Sequence, residues 1–165
     1  MNESVFWQVI ESAWATYPAL DKTRQRAVAL NQSDALQQLA IMLEQVVIPA
    51  IGLKLMELDR EGLTDFIRTL EAKMHQLDRA VLYQQTSLSD LCFIHARALI
   101  IGMGKQYFNL IDQDPAKATR HLEAEYVTTI GYKIYEERFG RPIEKFAKHS
   151  ILTGSNKAAW VQGGR

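Results

Sequence analysis

LCFIHARALIIGMGKQYFNLI, residues 91–111, is the stretch on which the fold turns. Leu91, Cys92, Phe93, Ile94, Ala96, Ala98, Leu99, Ile100, Ile101 and Met103 leave it almost no polar face. A helix that is apolar nearly all round is touched by neighbours on most sides. The stretch therefore predicts a central helix over 91–111. Just before it, Ser89 and Asp90 offer side-chain oxygens that can cap the exposed amides of a helix start. Just after it, Asp114-Pro115 opens a new turn, proline being well suited to a first helical position.

The same 3.6-residue period runs through the rest of the chain. Val5, Phe6, Val9, Ile10 and Ala13 predict a first helix over 3–16, with Asn2 or Ser4 as its cap and Tyr17-Pro18 as its end. A short polar helix is expected over 19–30. A third helix follows Asn31-Gln32, capped by Ser33 or Asp34, and Pro49 should kink it near Gln45. Leu63, Phe66, Ile67, Leu70, Met74, Leu77 and Val81 line up as one stripe and predict a single one-sided helix. A last long helix is expected over 121–139, with Gly140 as its left-handed stop. No segment alternates as a strand would. The fold class is all-α: a single compact domain of six to seven helices over 1–140, with a basic C-terminal tail over 141–165.

Composition narrows the function classes. The 165 residues balance 19 Lys+Arg against 19 Asp+Glu and include one Cys. One Cys forms no internal disulfide, so a disulfide-stapled secreted scaffold is excluded. The neutral balance argues against a strongly basic nucleic-acid protein. The longest apolar stretch, 40–56, is interrupted by Glu44, Gln45 and Lys54 and falls short of the ~20 apolar residues of a membrane span. A soluble, cytoplasmic chain with no membrane partner is expected. The tail carries Arg141, Lys145, Lys148, Lys157 and Arg165 against Glu144, and is expected to be partly disordered or pinned by Trp160. Contact of that tail with nucleic acid, phosphates on its cations and a base on Trp160, is the weaker reading beside an ordinary solvated terminus.

Arg97 is the oddity. It lies in the middle of the most apolar helix, and an unpaired buried guanidinium is very costly. It must meet a carboxylate, carbonyls or a bound anion. Asp90, two turns earlier, and Glu11, on the helix that Phe6 and Trp7 carry into the core, are its candidate acceptors. Lys105, eight residues on, falls on its side. Arg97, Asp90, Lys105, Trp7 and Glu11 are thus the candidate lining of a small anionic-ligand pocket; the plain alternative is a structural ion pair.

Other chemistry has less support. Glu71 with His75, Cys92 with His95 and His121 with Glu125 each share a helical face, but the Glu-x-x-His pair of di-metal bundles is absent. No nucleophile elbow, phosphate loop or dinucleotide fingerprint occurs. No catalytic residue, metal or cofactor is expected.

Three stretches carry a resemblance: ESVFWQVIESAW (3–14), SLSDLCFIHARALIIGMGKQYFNLIDQDP (87–115) and YKIYEERFG (132–140). With Phe6, Trp7, Ile10, Glu11, Ser89, Asp90, Phe93, Arg97, Ile100, Gly104, Lys105, Tyr107, Asp114 and Pro115 in order, the chain resembles the bacterial family called domain of unknown function 4240. Leu91 stands where members usually carry a second acidic residue. The resemblance implies an all-helical fold and gives weight to Asp90 and Arg97, but implies no activity. The expectation is a non-catalytic interaction or ligand-binding module with a protein partner or a small anionic ligand. The runner-up is an enzyme or effector-binding protein working at Arg97.

Overall fold

The computed structural model describes residues 3–161, and within them the chain is all-helical. Helix α1 (Glu3–Ala15) buries Phe6, Trp7, Val9, Ile10, Ala13 and Trp14, the apolar positions of its sequence period. Tyr17 leaves helical geometry before Pro18, which starts α2 (Pro18–Ala29). Asn31 then turns through a left-handed φ of 47° into α3 (Ser33–Met42). Asn2, one of the two caps expected for the first helix, lies outside the described residues. The expected caps Ser33 and Asp34 do not cap α3; Gln32 occupies that position without a side-chain bond.

The kink expected at Gln45 takes a specific form. Residues Leu43–Val47 make a π-helical turn, and α4 (Ile48–Met56) continues beyond it. Pro49 has no N–H to donate, and its ring crowds the carbonyl four residues back. Widening one turn removes that clash without breaking the helix. Ser33–Met56 thus runs as one helical stretch of 24 residues, with hydropathy 1.8 over its most apolar window, half of which is buried. By length and composition it could cross a membrane. In the fold, α4 packs on α1 and α9.

Two helices predicted as continuous are each divided. The stripe from Leu63 to Val81 spans α5 (Arg60–Gln76) and α6 (Ala80–Thr86), and Val81 is exposed. At the break sits Asp78, fully buried. The 91–111 stretch spans α7 (Asp90–Gly102) and α8 (Lys105–Gln113). There the chain turns at Gly104, φ 100°. Any Cβ at that position would collide with the Arg24 guanidinium and the Glu11 carboxylate. The central position belongs to α7, in which Phe93 and the whole run from Ala96 to Gly102 are buried. Ser89 caps it, accepting from the Cys92 amide at 3.2 Å.

Beyond α8, Asp114 caps a 3₁₀ turn, Pro115–Lys117, through the Ala116 amide. The helix expected over 121–139 starts late. Residues 118–125 are irregular, with His121 at φ 60°, and a 3₁₀ turn (Tyr126–Thr128) precedes α9 (Ile130–Phe139). Gly140 ends α9 in left-handed geometry at φ 70°, as expected. The tail then returns across α5, α6 and α7 and ends in α10 (Lys157–Val161).

Candidate functional site

Arg97 is 0 % exposed, and its partners are backbone carbonyls. Nε donates to Phe93 O at 3.3 Å, one Nη to Met74 O at 2.8 Å and the other to Ile151 O at 2.7 Å. The guanidinium also lies over the Phe93 ring, 4.5 Å from its centroid. Burial pulls its pKa down to about 10, while the charge of Asp78 works the other way. Arg97 is therefore a cation at neutral pH, with all three of its nitrogens spent on the chain itself. Neither Asp90 nor Glu11 accepts from it. Asp90 sits exposed at the start of α7, and its carbonyl accepts from the Thr153 hydroxyl at 2.7 Å.

The acid that answers Arg97 is one the sequence did not single out. Asp78 accepts from the Gly154 amide (3.0 Å), the Asn156 amide (2.9 Å), the Ser155 hydroxyl (3.2 Å) and the Trp160 indole (2.9 Å). The Trp160 ring rests against Tyr83 and Phe93. Arg97 and Asp78 together thus hold residues 151–160 from opposite charge signs. Glu71 does the same one helical stretch away: it is buried and takes bonds from Arg68, the Tyr132 hydroxyl at 2.6 Å and the Phe146 amide at 3.0 Å. Burial and the adjacent Glu71 carboxylate push the Tyr132 phenol well above its ordinary value.

The other candidates meet elsewhere, at the junction of α1, α2 and α8. Glu11 accepts from the Lys105 amide at 3.0 Å and so caps α8 from a distant helix. Its other oxygen takes Arg24 at 2.6 Å. Arg24, buried, also bonds Asp21 and the Met103 carbonyl. Trp7 is buried one turn before Glu11, and its ring packs at a tilt against Phe108, one turn after Lys105, with 5.2 Å between centroids. Lys105 itself is exposed, on a cleft of about 520 Å³ with Glu11, Arg24, Gln25, Gln106 and Asn109. The five candidates therefore divide: Trp7, Glu11 and Lys105 share one junction, while Arg97 and Asp90 stand apart from it and from each other.

A third place lies at the π-turn. Glu44 Oε1 accepts from the Tyr126 amide at 3.4 Å, while Oε2 is buried without a hydrogen-bond partner. Burial raises its carboxyl above the ordinary value of 4.5, backbone amides at Tyr126 and Glu125 oppose this, and the Glu125 charge adds to it. A cleft of about 370 Å³ opens beside it, lined by Gln37, Ile41, Gln45, His121 and Glu123 among others. The signals for this place were the Glu inside an apolar helix and the proline five residues on; neither alone marks a site.

Among the described residues, no group of three or more His, Cys, Asp or Glu side chains gathers as a metal site would. His75 faces Ser150 O and Ser155 Oγ, and Glu71 is committed as above, so that helical pair is spent on the tail. Compared with family models, with curated proteins and with solved structures, the chain finds no match.

Proposed function

We propose that this chain is a non-catalytic binding module that docks a protein partner along the outer face of the α3–α4 stretch. One observation carries the reading. Ile41, Gln45, Pro49, Leu53 and Met56 recur at four- and three-residue steps, all exposed, and none is charged. Leu53 is 65 % and Met56 56 % exposed. A half-covered helix of this hydropathy leaves an uncharged ridge, apolar at Ile41, Pro49, Leu53 and Met56, and exposed apolar surface of this kind is characteristic of interaction surfaces. The closed surroundings of Arg97 support the same reading, because a cation whose nitrogens are already satisfied offers little to a ligand. A small cytoplasmic helical domain akin to the domain of unknown function 4240 family is part of this proposal.

The probe that tests it is a designed amphipathic helix with leucines on one face and glutamines on the other. Added to the isotope-labelled protein, it should shift the amide resonances of Ile41, Leu53 and Met56. Leu53→Glu should abolish the effect and leave the circular dichroism unchanged, whereas Leu30→Glu, at an exposed position elsewhere, should not weaken it. Shifts that cluster away from α3–α4, or none at all, would overturn the reading.

A second reading rests on the Lys105 cleft, where an exposed ammonium and the side-chain amides of Gln25, Gln106 and Asn109 could receive a small anion. Inorganic phosphate should then raise the melting temperature, and Lys105→Ala should remove the rise.

A further inference from the structure

We infer that the cleft beside the π-turn is the charge-reading pocket of this docking face, and takes the ammonium or guanidinium of a basic side chain on the partner. This rests on the docking reading above, because Ile41 belongs to both the ridge and the wall of the cleft.

The geometry of Glu44 carries the argument. The π-turn pushes one carboxylate out of register with the apolar faces of α3 and α4 and lodges it against the start of the Tyr126–Thr128 turn. There the Tyr126 amide reaches Oε1 at a long 3.4 Å, the Glu125 amide adds its own pull, and Oε2 is buried without a hydrogen-bond partner. A buried carboxylate oxygen without a donor is left desolvated and destabilises the fold. Among the described residues, no Lys or Arg pairs with Glu44, Glu123 or Glu125, although Arg120 is close to them in sequence. The charged and titratable groups turned toward Glu44 are His95 from α7 and Glu125, with His121 and Glu123 on the cleft wall. The wall otherwise consists of amides and apolar surface: Gln37, Gln45, Ala40, Ile41 and Leu122. Acceptors without cations, next to apolar surface, match an aliphatic stem with a positive end. Such a partner would lay apolar residues on the ridge and place a Lys or Arg in the cleft.

The test uses two helical peptides and one small cation. The first peptide carries leucine and glutamine faces. The second is identical except for lysine at the positions that meet residues 37–45. At low ionic strength the lysine peptide should bind about tenfold more tightly, the gain of one partly buried charge-assisted contact. Glu44→Gln should erase that difference while leaving the glutamine peptide's affinity unchanged. Separately, n-butylammonium chloride should shift the amides of Glu44, His121 and Glu123 in the wild type and in Leu53→Glu, but not in Glu44→Gln. Should Glu44→Gln fail to fold, lowering the pH of the wild type until Glu44 is protonated should remove the same shifts. Equal affinity for the two peptides, a preference that survives Glu44→Gln, or n-butylammonium shifts elsewhere or absent would overturn the inference. If neither peptide binds, the ridge reading fails, and the n-butylammonium measurement alone decides the cleft.

Discussion

The Trp160 indole donates to the Asp78 carboxylate across 2.9 Å, joining positions 82 residues apart. Asp78 lies in the break between α5 and α6, and its other bonds also go to the tail. The tail covers little apolar surface of its own, with Ile151 buried and Ile143, Phe146 and Trp160 partly so. Buried charge therefore does much of the holding that hydrophobic area does elsewhere in the molecule.

Removing that acid should free the tail. Asp78→Ala leaves the Gly154 and Asn156 amides and the Trp160 indole without their acceptor, and Arg97 without its opposing charge. A loss of about 3–5 kcal/mol is expected, as for other buried charges stripped of a partner. Urea unfolding measures the loss, and hydrogen exchange at Gly154 and Asn156 should accelerate well beyond that of α7. Unchanged exchange there would mean that the tail is held by other contacts.

Arg97 should be intolerant even of apolar replacement. A methionine fills the volume but strands the carbonyls of Met74 and Ile151 and leaves Asp78 uncompensated. Arg97→Met should cost about 3 kcal/mol or more. Arg97→Lys keeps the charge but cannot reach three acceptors with one nitrogen, and should fall between. Chemical denaturation of the two variants ranks them; a methionine variant as stable as the wild type would contradict the structural role.

Two glycines give a graded comparison. Gly140 sits at φ 70° with open space where a Cβ would go, so Gly140→Ala should cost only the backbone term of about 1 kcal/mol. Gly104 sits at φ 100° and ψ 172°, a region essentially reserved for glycine, with Arg24 and Glu11 in the way. Gly104→Ala should cost about 3 kcal/mol or more, and should disturb the α1–α8 junction as well. Thermal unfolding of the pair should separate them clearly.

Glu44 makes stability depend on pH in a definite direction. Its carboxyl binds a proton more readily folded than unfolded, because its folded value is raised above 4.5. Between those two values the folded state carries the extra proton, so stability attributable to this group falls as pH rises through the window and then levels off. Glu44→Gln removes the penalty. The variant should melt higher than the wild type at pH 7, and the difference should shrink as the pH falls toward 4.5 and vanish below it. A constant difference across that range would show that Glu44 does not titrate as described.

The sequence discloses those parts of the molecule that obey local rules. The apolar period of α1, the proline boundary at Tyr17-Pro18, the Ser89 cap and the left-handed Gly140 each depend on a few neighbouring residues, and each is found in place. The breaks at Asp78 and Gly104 do not announce themselves, because their causes lie elsewhere in the chain. Asp78 interrupts a good stripe only because four donors of the tail converge on it. Gly104 turns with a positive φ at a place where Glu11 and Arg24, from distant helices, leave no room for a Cβ. The same limit governs Arg97. Its isolation in an apolar helix is visible from composition, but carbonyls look alike in any sequence, so Met74 and Ile151 are not legible as its partners. Carboxylates are legible, and so Asp90 and Glu11 stood out as acceptors.

The three bonds of Arg97 also bear on how the chain can be made. When α7 has left the ribosome, the Met74 and Phe93 carbonyls are already available, but Ile151 lies 54 residues beyond Arg97. Until that segment emerges, the most buried helix carries a guanidinium with one nitrogen lacking its carbonyl acceptor. Asp78 waits still longer, for Trp160. Synthesis in order therefore leaves the centre open and closes it from the far end, so nascent chains stalled before Ile151 should stay susceptible to protease along α7, even with α1 to α9 complete.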